Sequence, residues 1–137
     1  MRVILDTNCF LVCISRKSQF RSVFDHFLDG HFTLIMSDEL LLEYEEIIAK
    51  KAHPDVAQNI RDFLLNNRNI HWQRIFYRWL LVYADPDDDK LADLAIAANA
   101  DYLVTDDHHF NELKSVSFPK VSVITLANFQ SLLTGSQ

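Results

Sequence analysis

Apolar runs of two different periods alternate along the chain, and this alternation restricts the fold more than any other feature of the sequence. Val3 to Leu5, Phe32 to Met36, Tyr102 to Val104 and Val121 to Ile124 are short and rich in β-branched or aromatic residues. Strands buried on both faces have that pattern. Between them, apolar residues recur at spacings of three and four. Phe20, Val23, Phe24, Phe27 and Leu28 stop before Gly30, and Ser37 is placed to cap a helix whose stripe is Leu40, Leu41, Tyr44, Ile47 and Ile48. A further helix follows Pro54, running through Val56, Ile60, Phe63 and Leu64 to Asn66 or Asn67. An acidic run opens a helix carrying Leu91, Leu94, Ala95 and Ala98, and Thr125 caps a last one through Phe129 to Leu133. Arg68 to Tyr83 fits neither period and reads as a short strand with a loop or as a helix. Strands alternating with helices define an α/β protein, three layers α/β/α around a central, mainly parallel sheet of four or five strands. No repeat, linker or low-complexity tract divides the 137 residues, so one domain over 1–137 is expected.

Several classes fall away at this point. With two glycines, Gly30 and Gly135, there is no Gly-rich phosphate loop of the P-loop or Rossmann kind. Cys9 and Cys13 are too few for a zinc site or a disulfide framework and are expected as reduced, partly buried thiols. No run approaches the length of a membrane span. The opening MRVILDTN reaches an acid at Asp6, too soon for the apolar core of a signal peptide, so a cytoplasmic protein with no membrane partner is expected.

The net charge of −6 is unevenly distributed. Asp85 to Asp107 holds eight acids against one base, Lys90, whereas the rest of the chain holds twelve bases and eleven acids. Such a run is commonly a solvated loop. Position argues for more, because ligands of an open parallel sheet bind beyond the carboxyl ends of its strands. Asp6 follows the first strand, and Asp106 and Asp107 follow Tyr102 to Val104 through Thr105. An acid after a strand also serves to cap the next turn, and either acid alone would be read so. Glu43 lies three residues after Leu40 and four before Ile47, interrupting the inward stripe of its helix, where a carboxylate needs a partner or a metal. Asp88 is in register with Leu91, Ala95 and Ala98, whereas Asp89 lines up with Asp93 on a face that reads as solvated. Asp88 is therefore the candidate and Asp89 the reserve.

Asp6, Glu43, Asp88 and Asp107 thus converge on one rim as four carboxylates with no obvious cationic partner. Like charges so close resist common ionisation unless a cation neutralises them. Oxygen-only ligation suits one or two Mg²⁺ or Mn²⁺ ions rather than Zn²⁺. Ions bridged by carboxylates activate water, orient a phosphodiester and stabilise the leaving oxygen, so metal-dependent phosphodiester hydrolysis is the chemistry expected.

Three segments carry a family resemblance: VILDTN, SDELLLEYEEII and ADPDDDKLADLAIAANADYLVTDDHHF. Together they resemble the PIN-domain family, in particular the group regarded as toxins of toxin–antitoxin systems, over nearly the whole chain. The resemblance implies a compact α/β/α fold and a Mg²⁺- or Mn²⁺-dependent ribonuclease. It matches Asp6 to the acid after the first strand, Glu43 to the helical glutamate, Asp88 to the acid opening the later helix and Asp107 to the acid past the LVT threonine. Asn8 and Thr105 match polar positions that help orient these carboxylates. The surplus of acids, Asp87 to Asp89 and Asp106 with Asp107, leaves the register open by one residue. An antitoxin protein that covers the site is also implied, and a homodimer is common among such domains.

An acidic chain is a poor non-specific binder of nucleic acid. Arg16, Lys17 and Arg21 follow the first strand, and Arg68, Arg74 and Arg78 alternate with Trp72, Phe76, Tyr77 and Trp79. Arginines with aromatics grip single-stranded RNA, although core aromatics flanked by surface charges give the same pattern. His108 and His109 are read as a solvated turn. Two other functions share the acidic α/β frame, a receiver-like phosphoacceptor domain and a catalytically silent PIN-like interaction module. The first expects an acid pair at the first strand and a phosphoacceptor aspartate after a middle strand, where this chain has Ser37.

Overall fold

The computed structural model describes residues 1–76, 78–80, 86–116 and 119–135, with the backbone alone for 86–89, 112 and 115. Five strands form one sheet: β1 (Arg2–Leu5), β2 (Thr33–Met36), β3 (Ile70–Trp72), β4 (Tyr102–Val104) and β5 (Val123–Ile124). Their order is β3-β2-β1-β4-β5 and every pairing is parallel. The helices are α1 (Thr7–Ile14), α2 (Arg21–Leu28), α3 (Asp38–Lys51), α4 (Pro54–Asn66), α5 (Pro86–Ala97) and α6 (Leu126–Thr134), with a 3-10 helix over His108–Ser115. Helix α1 packs on α2 and α3, α3 on α4, and α2 on α6, while α5 packs on β4. Crossovers on the two sides of β1 run in opposite directions, and right-handed connection then puts their helices on opposite faces of the sheet. The expected α/β/α fold with a parallel sheet is therefore what forms, with five strands.

The order of the strands matters most for function. The chain winds outward from β1 through β2 to β3 and then returns to β4 on the other side of β1. Between β1 and β4 lies the switch point, where loops leave in opposite directions and open a crevice at the carboxyl ends of the strands. The core beneath it is continuous. Val3, Ile4, Leu34, Ile35, Met36, Leu103 and Val104 are almost fully buried, with Phe10, Tyr44 and Phe129 packed over the sheet. Phe10 of α1 and Tyr44 of α3 stack at 4.3 Å between centroids. The Tyr44 hydroxyl donates to the Leu5 carbonyl, tying α3 to the last residue of β1, one before Asp6. Tyr44→Phe should keep the ring stack and lose that bond, lowering stability by about 1 kcal/mol in a denaturant titration.

Local signals set the helix ends. Ser37 Oγ accepts from Leu40 N–H at 3.1 Å, and Thr125 Oγ1 from Asn128 N–H at 3.2 Å, both as the caps expected. Arg68 to Tyr83 resolves to strand β3 at Ile70–Trp72 followed by irregular chain, with Tyr77 and residues 81–85 outside the described part. Helix α1 and the 3-10 helix are additions to the pattern read from sequence. In α1 the residues Thr7, Cys9, Phe10 and Cys13 are buried, and the mix of polar and apolar side chains hides a stripe. Cys9 and Cys13 are free and buried, and burial pushes both thiols up to about 12, so both stay protonated at neutral pH.

Candidate active site

Strands β1 and β4 deliver their following residues to the crevice side by side. Leu5 pairs with Val104, and the backbone N–H of Asp6 donates to the Val104 carbonyl at 3.0 Å. Asp6 stands at the N-cap of α1, yet its side chain makes no capping bond there. It turns to β4 instead, and Asp6 Oδ2 accepts from Thr105 Oγ1 at 2.8 Å. The same Thr105 hydroxyl accepts from the Asp107 backbone N–H at 3.0 Å. Thr105 is buried, so this single hydroxyl fixes both the Asp6 carboxylate and the path of the chain into Asp107.

Glu43 reaches the rim from α3, which packs against α1. Its Oε2 accepts from Thr7 Oγ1 at 2.8 Å, and Thr7 is the residue after Asp6. The interrupted stripe of α3 thus ends in a polar contact at the end of β1. Glu43, Thr7, Asp6, Thr105 and Asp107 make one chain of neighbours held by side-chain bonds and a single peptide link. Burial is the largest influence on Asp6 and raises its carboxyl above the ordinary value. Bonds from Thr105 and from the Thr7 backbone act the other way, and the charges of Asp107 and Asp106 add to the rise.

The two acids after Thr105 are used differently. Asp106 Oδ1 accepts from Leu126 N–H at 3.0 Å and so secures the first turn of α6. Asp107 Oδ1 accepts from His109 N–H at 2.9 Å and lies 3.3 Å from His109 Nδ1, capping the 3-10 helix. Both acids therefore cap a turn, as either one alone suggests, and both also face Asp6. Asp6, Asn8, Cys9, Phe20, Asp106 and Asp107 line one cleft. Asn8 is exposed on the first turn of α1. His108 is exposed and His109 half-buried.

Asp88 and Asp89 lie in the first turn of α5, with side chains outside the described residues. The backbone position of that turn is informative. Lys90 Nζ lies 3.4 Å from Glu39 Oε2, bringing the start of α5 to the start of α3. Among the described residues, no group of three or more His, Cys, Asp or Glu side chains is arranged to hold a metal ion. One expectation is corrected outright. Asp93 is not solvated but buried at 2% exposure, with Oδ1 accepting from Trp79 N–H at 2.9 Å. From Leu91 to Ala95 every residue of α5 is buried, so the turn that carries Asp93 has no face toward water, and only Ala97 further along the helix is exposed. Arg21, read as a flank of the rim, instead pairs with Asp25 at 3.2 Å and donates to the Ile14 carbonyl.

A parallel sheet with Asp6, Asp106 and Asp107 lining one cleft at its switch point defines an acidic α/β protein with a candidate site on the carboxyl rim. A family model described as PIN domain matches residues 2–109, and the chain belongs to the PIN domain family. Its fold is of the nuclease type general in that family. Among solved structures, VapBC2 from Rickettsia felis bound to a DNA fragment from their promoter is similar, at TM-score 0.63 and 20% identity, over 91% of this chain and 98% of that one. DNA-bound VapBC from Salmonella typhimurium gives TM-score 0.57 and 14% identity, over 92% and 98%. The PIN domain of human SMG5 gives 0.54 and 14%, over 96% and 99%. No curated protein matches in sequence. Among the described residues no helix is long and apolar enough to cross a membrane.

Proposed function

We propose that the protein is a divalent-metal-dependent endoribonuclease, the toxin component of a toxin–antitoxin pair, acting in the cytoplasm. The observation that carries this reading is the Thr105 hydroxyl, which binds Asp6 and the Asp107 backbone together at the switch point while Thr7 brings in Glu43. The donors there are carboxylate oxygens, and burial together with the charges of Asp107 and Asp106 raises the Asp6 carboxyl, a strain on its ionised form that a bound cation would relieve. Hard carboxylate oxygens fit Mg²⁺ or Mn²⁺. Asp6, Glu43 and Asp107 would hold one or two such ions, with Asp88 from the first turn of α5 completing the set and Asp89 as the alternative. When bound, the ions would supply an activated water and stabilise the leaving oxygen of an RNA phosphodiester. The rest belongs to the chain. Thr105 and Thr7 fix the carboxylates, Asn8 and Asp106 shape the cleft, and Asp106 anchors α6 beside it. An antitoxin protein that covers the rim is the partner this reading expects, and the DNA-bound VapBC structures of the same fold support it. A homodimer is the expected assembly.

The test is cleavage of defined single-stranded RNAs by the purified chain. Cleavage is expected with Mn²⁺ or Mg²⁺ and none in chelator, and Mn²⁺ should raise the midpoint of thermal unfolding. Absence of both cleavage and metal-induced stabilisation would sink the proposal.

A further inference from the structure

Because all five strands are parallel, the carboxyl end of the edge strand β3 opens on the same rim as Asp6. The chain leaving β3 has an alternating surface. Trp72, Arg74, Phe76 and Arg78 are exposed, whereas Gln73 and Ile75 between them are half-buried. Phe76 is 86% exposed, well beyond what an aromatic ring adopts for packing. The exposed face therefore repeats ring, cation, ring, cation, which is the order of base and phosphate along a nucleic-acid strand.

A depression joins this face to Glu43, the carboxylate that α3 brings to the rim. One hollow is lined by Trp72, Arg74, Phe76, Arg78 and Leu65, and the next by Glu43, Leu42, Lys90 and Leu94. They share Ser37, Glu39 and Ile75, so the depression runs on from Phe76 to Glu43. Arg78 lies 3.8 Å from Glu39 with both side chains about half exposed, a pair of little strength that a phosphate can displace.

We propose that Trp72, Arg74, Phe76 and Arg78 form a platform that holds single-stranded RNA by stacking and phosphate contacts on the β3 side of the carboxylate rim. This rests on the ribonuclease reading and adds to it the path of the strand away from the cut bond. Aromatics with arginine are also common in protein interfaces. Continuity with the acidic rim, together with the one-to-one alternation of ring and cation, favours nucleic acid.

The experiment is binding of a labelled oligouridine to the whole chain in chelator at low salt, read by fluorescence anisotropy, beside Mn²⁺-dependent cleavage of the same RNA. Phe76→Leu keeps apolar area but loses the π-face, and should weaken binding about fivefold or more, while Phe76→Trp should retain it. Arg74→Gln combined with Arg78→Gln should lower the slope of log affinity against log salt by about 1.4. Unchanged affinity and salt slope in these variants, or a wild type that cuts RNA without binding it in chelator, would overturn the platform and leave the ribonuclease standing. Equal weakening by Phe76→Leu and Phe76→Trp with an unchanged salt slope would also overturn the platform, because neither ring stacking nor phosphate contact would then be what the face supplies. A wild type that neither binds nor cuts RNA overturns both proposals.

Discussion

Asp6→Asn is expected to cut RNA about 100-fold or more slowly than the wild type under single-turnover conditions with Mn²⁺, and to be the more stable protein in chelator at neutral pH. Opposite signs in the two measurements come from one cause. Asp6 sits at the end of β1 beside Asp106 and Asp107, partly buried, and burial raises its folded pKa above the ordinary 3.8. A carboxyl whose pKa is raised by folding adds stability below its unfolded value, and that stability is lost as pH rises through the folded value. At pH 7 the ionised group therefore weighs against folding, and an amide of the same shape removes the weight. The Thr105 hydroxyl still finds an oxygen to donate to. In chelator, the advantage of the variant in unfolding midpoint should be largest near neutrality and vanish as the pH falls below 3.8. With Mn²⁺ the order should reverse, because binding to the folded state alone stabilises the wild type. Full Mn²⁺-dependent cleavage by Asp6→Asn, with contaminating nuclease excluded, would remove Asp6 from the site.

Much of this site is legible in the sequence because strands and helices fix where a residue must go. Asp6 and the Asp106–Asp107 pair follow short apolar runs, and a parallel sheet brings the ends of neighbouring strands together. Glu43 is marked because a carboxylate breaks an apolar stripe. What periodicity cannot supply is the partner that crosses between elements. Thr7 follows Asp6 in the sequence, but that it holds Glu43 depends on how α3 crosses the end of β1. Asp93 fails for a related reason. Matching it to Asp89 presumes a helix with a wet face, and LADLAIAA, which is almost wholly apolar, has hardly any. The aspartate inside that run is itself the clue that it was to be buried and bonded. Helix α1 escapes notice because DTN reads as a loop signal, with Asp6, Thr7 and Asn8 all turn formers, although here they open a helix.

Thr105→Val separates holding the fold from holding the site. Valine has nearly the shape of threonine and should fill the same buried space. It cannot donate to Asp6 Oδ2 or accept from the Asp107 N–H, bonds of 2.8 and 3.0 Å in the native protein. Two polar groups then lose a partner at a buried position, and the expected cost is about 2 to 4 kcal/mol in a denaturant titration. The functional loss should be distinct from that cost. At a temperature where the variant is fully folded, Mn²⁺ affinity measured by calorimetry should fall by about 10- to 100-fold, the range for losing a group that orients a ligand. Cleavage at saturating RNA should fall with it, and the Michaelis constant for RNA should hardly move, since Thr105 lies beneath the carboxylates rather than on the RNA path. Thr105→Ser restores the hydroxyl without the methyl and should recover most of the metal affinity. If Thr105→Val lost stability but kept wild-type Mn²⁺ affinity and turnover, the hydroxyl would be a structural strut, and the Asp6 carboxylate would have to be held by something else.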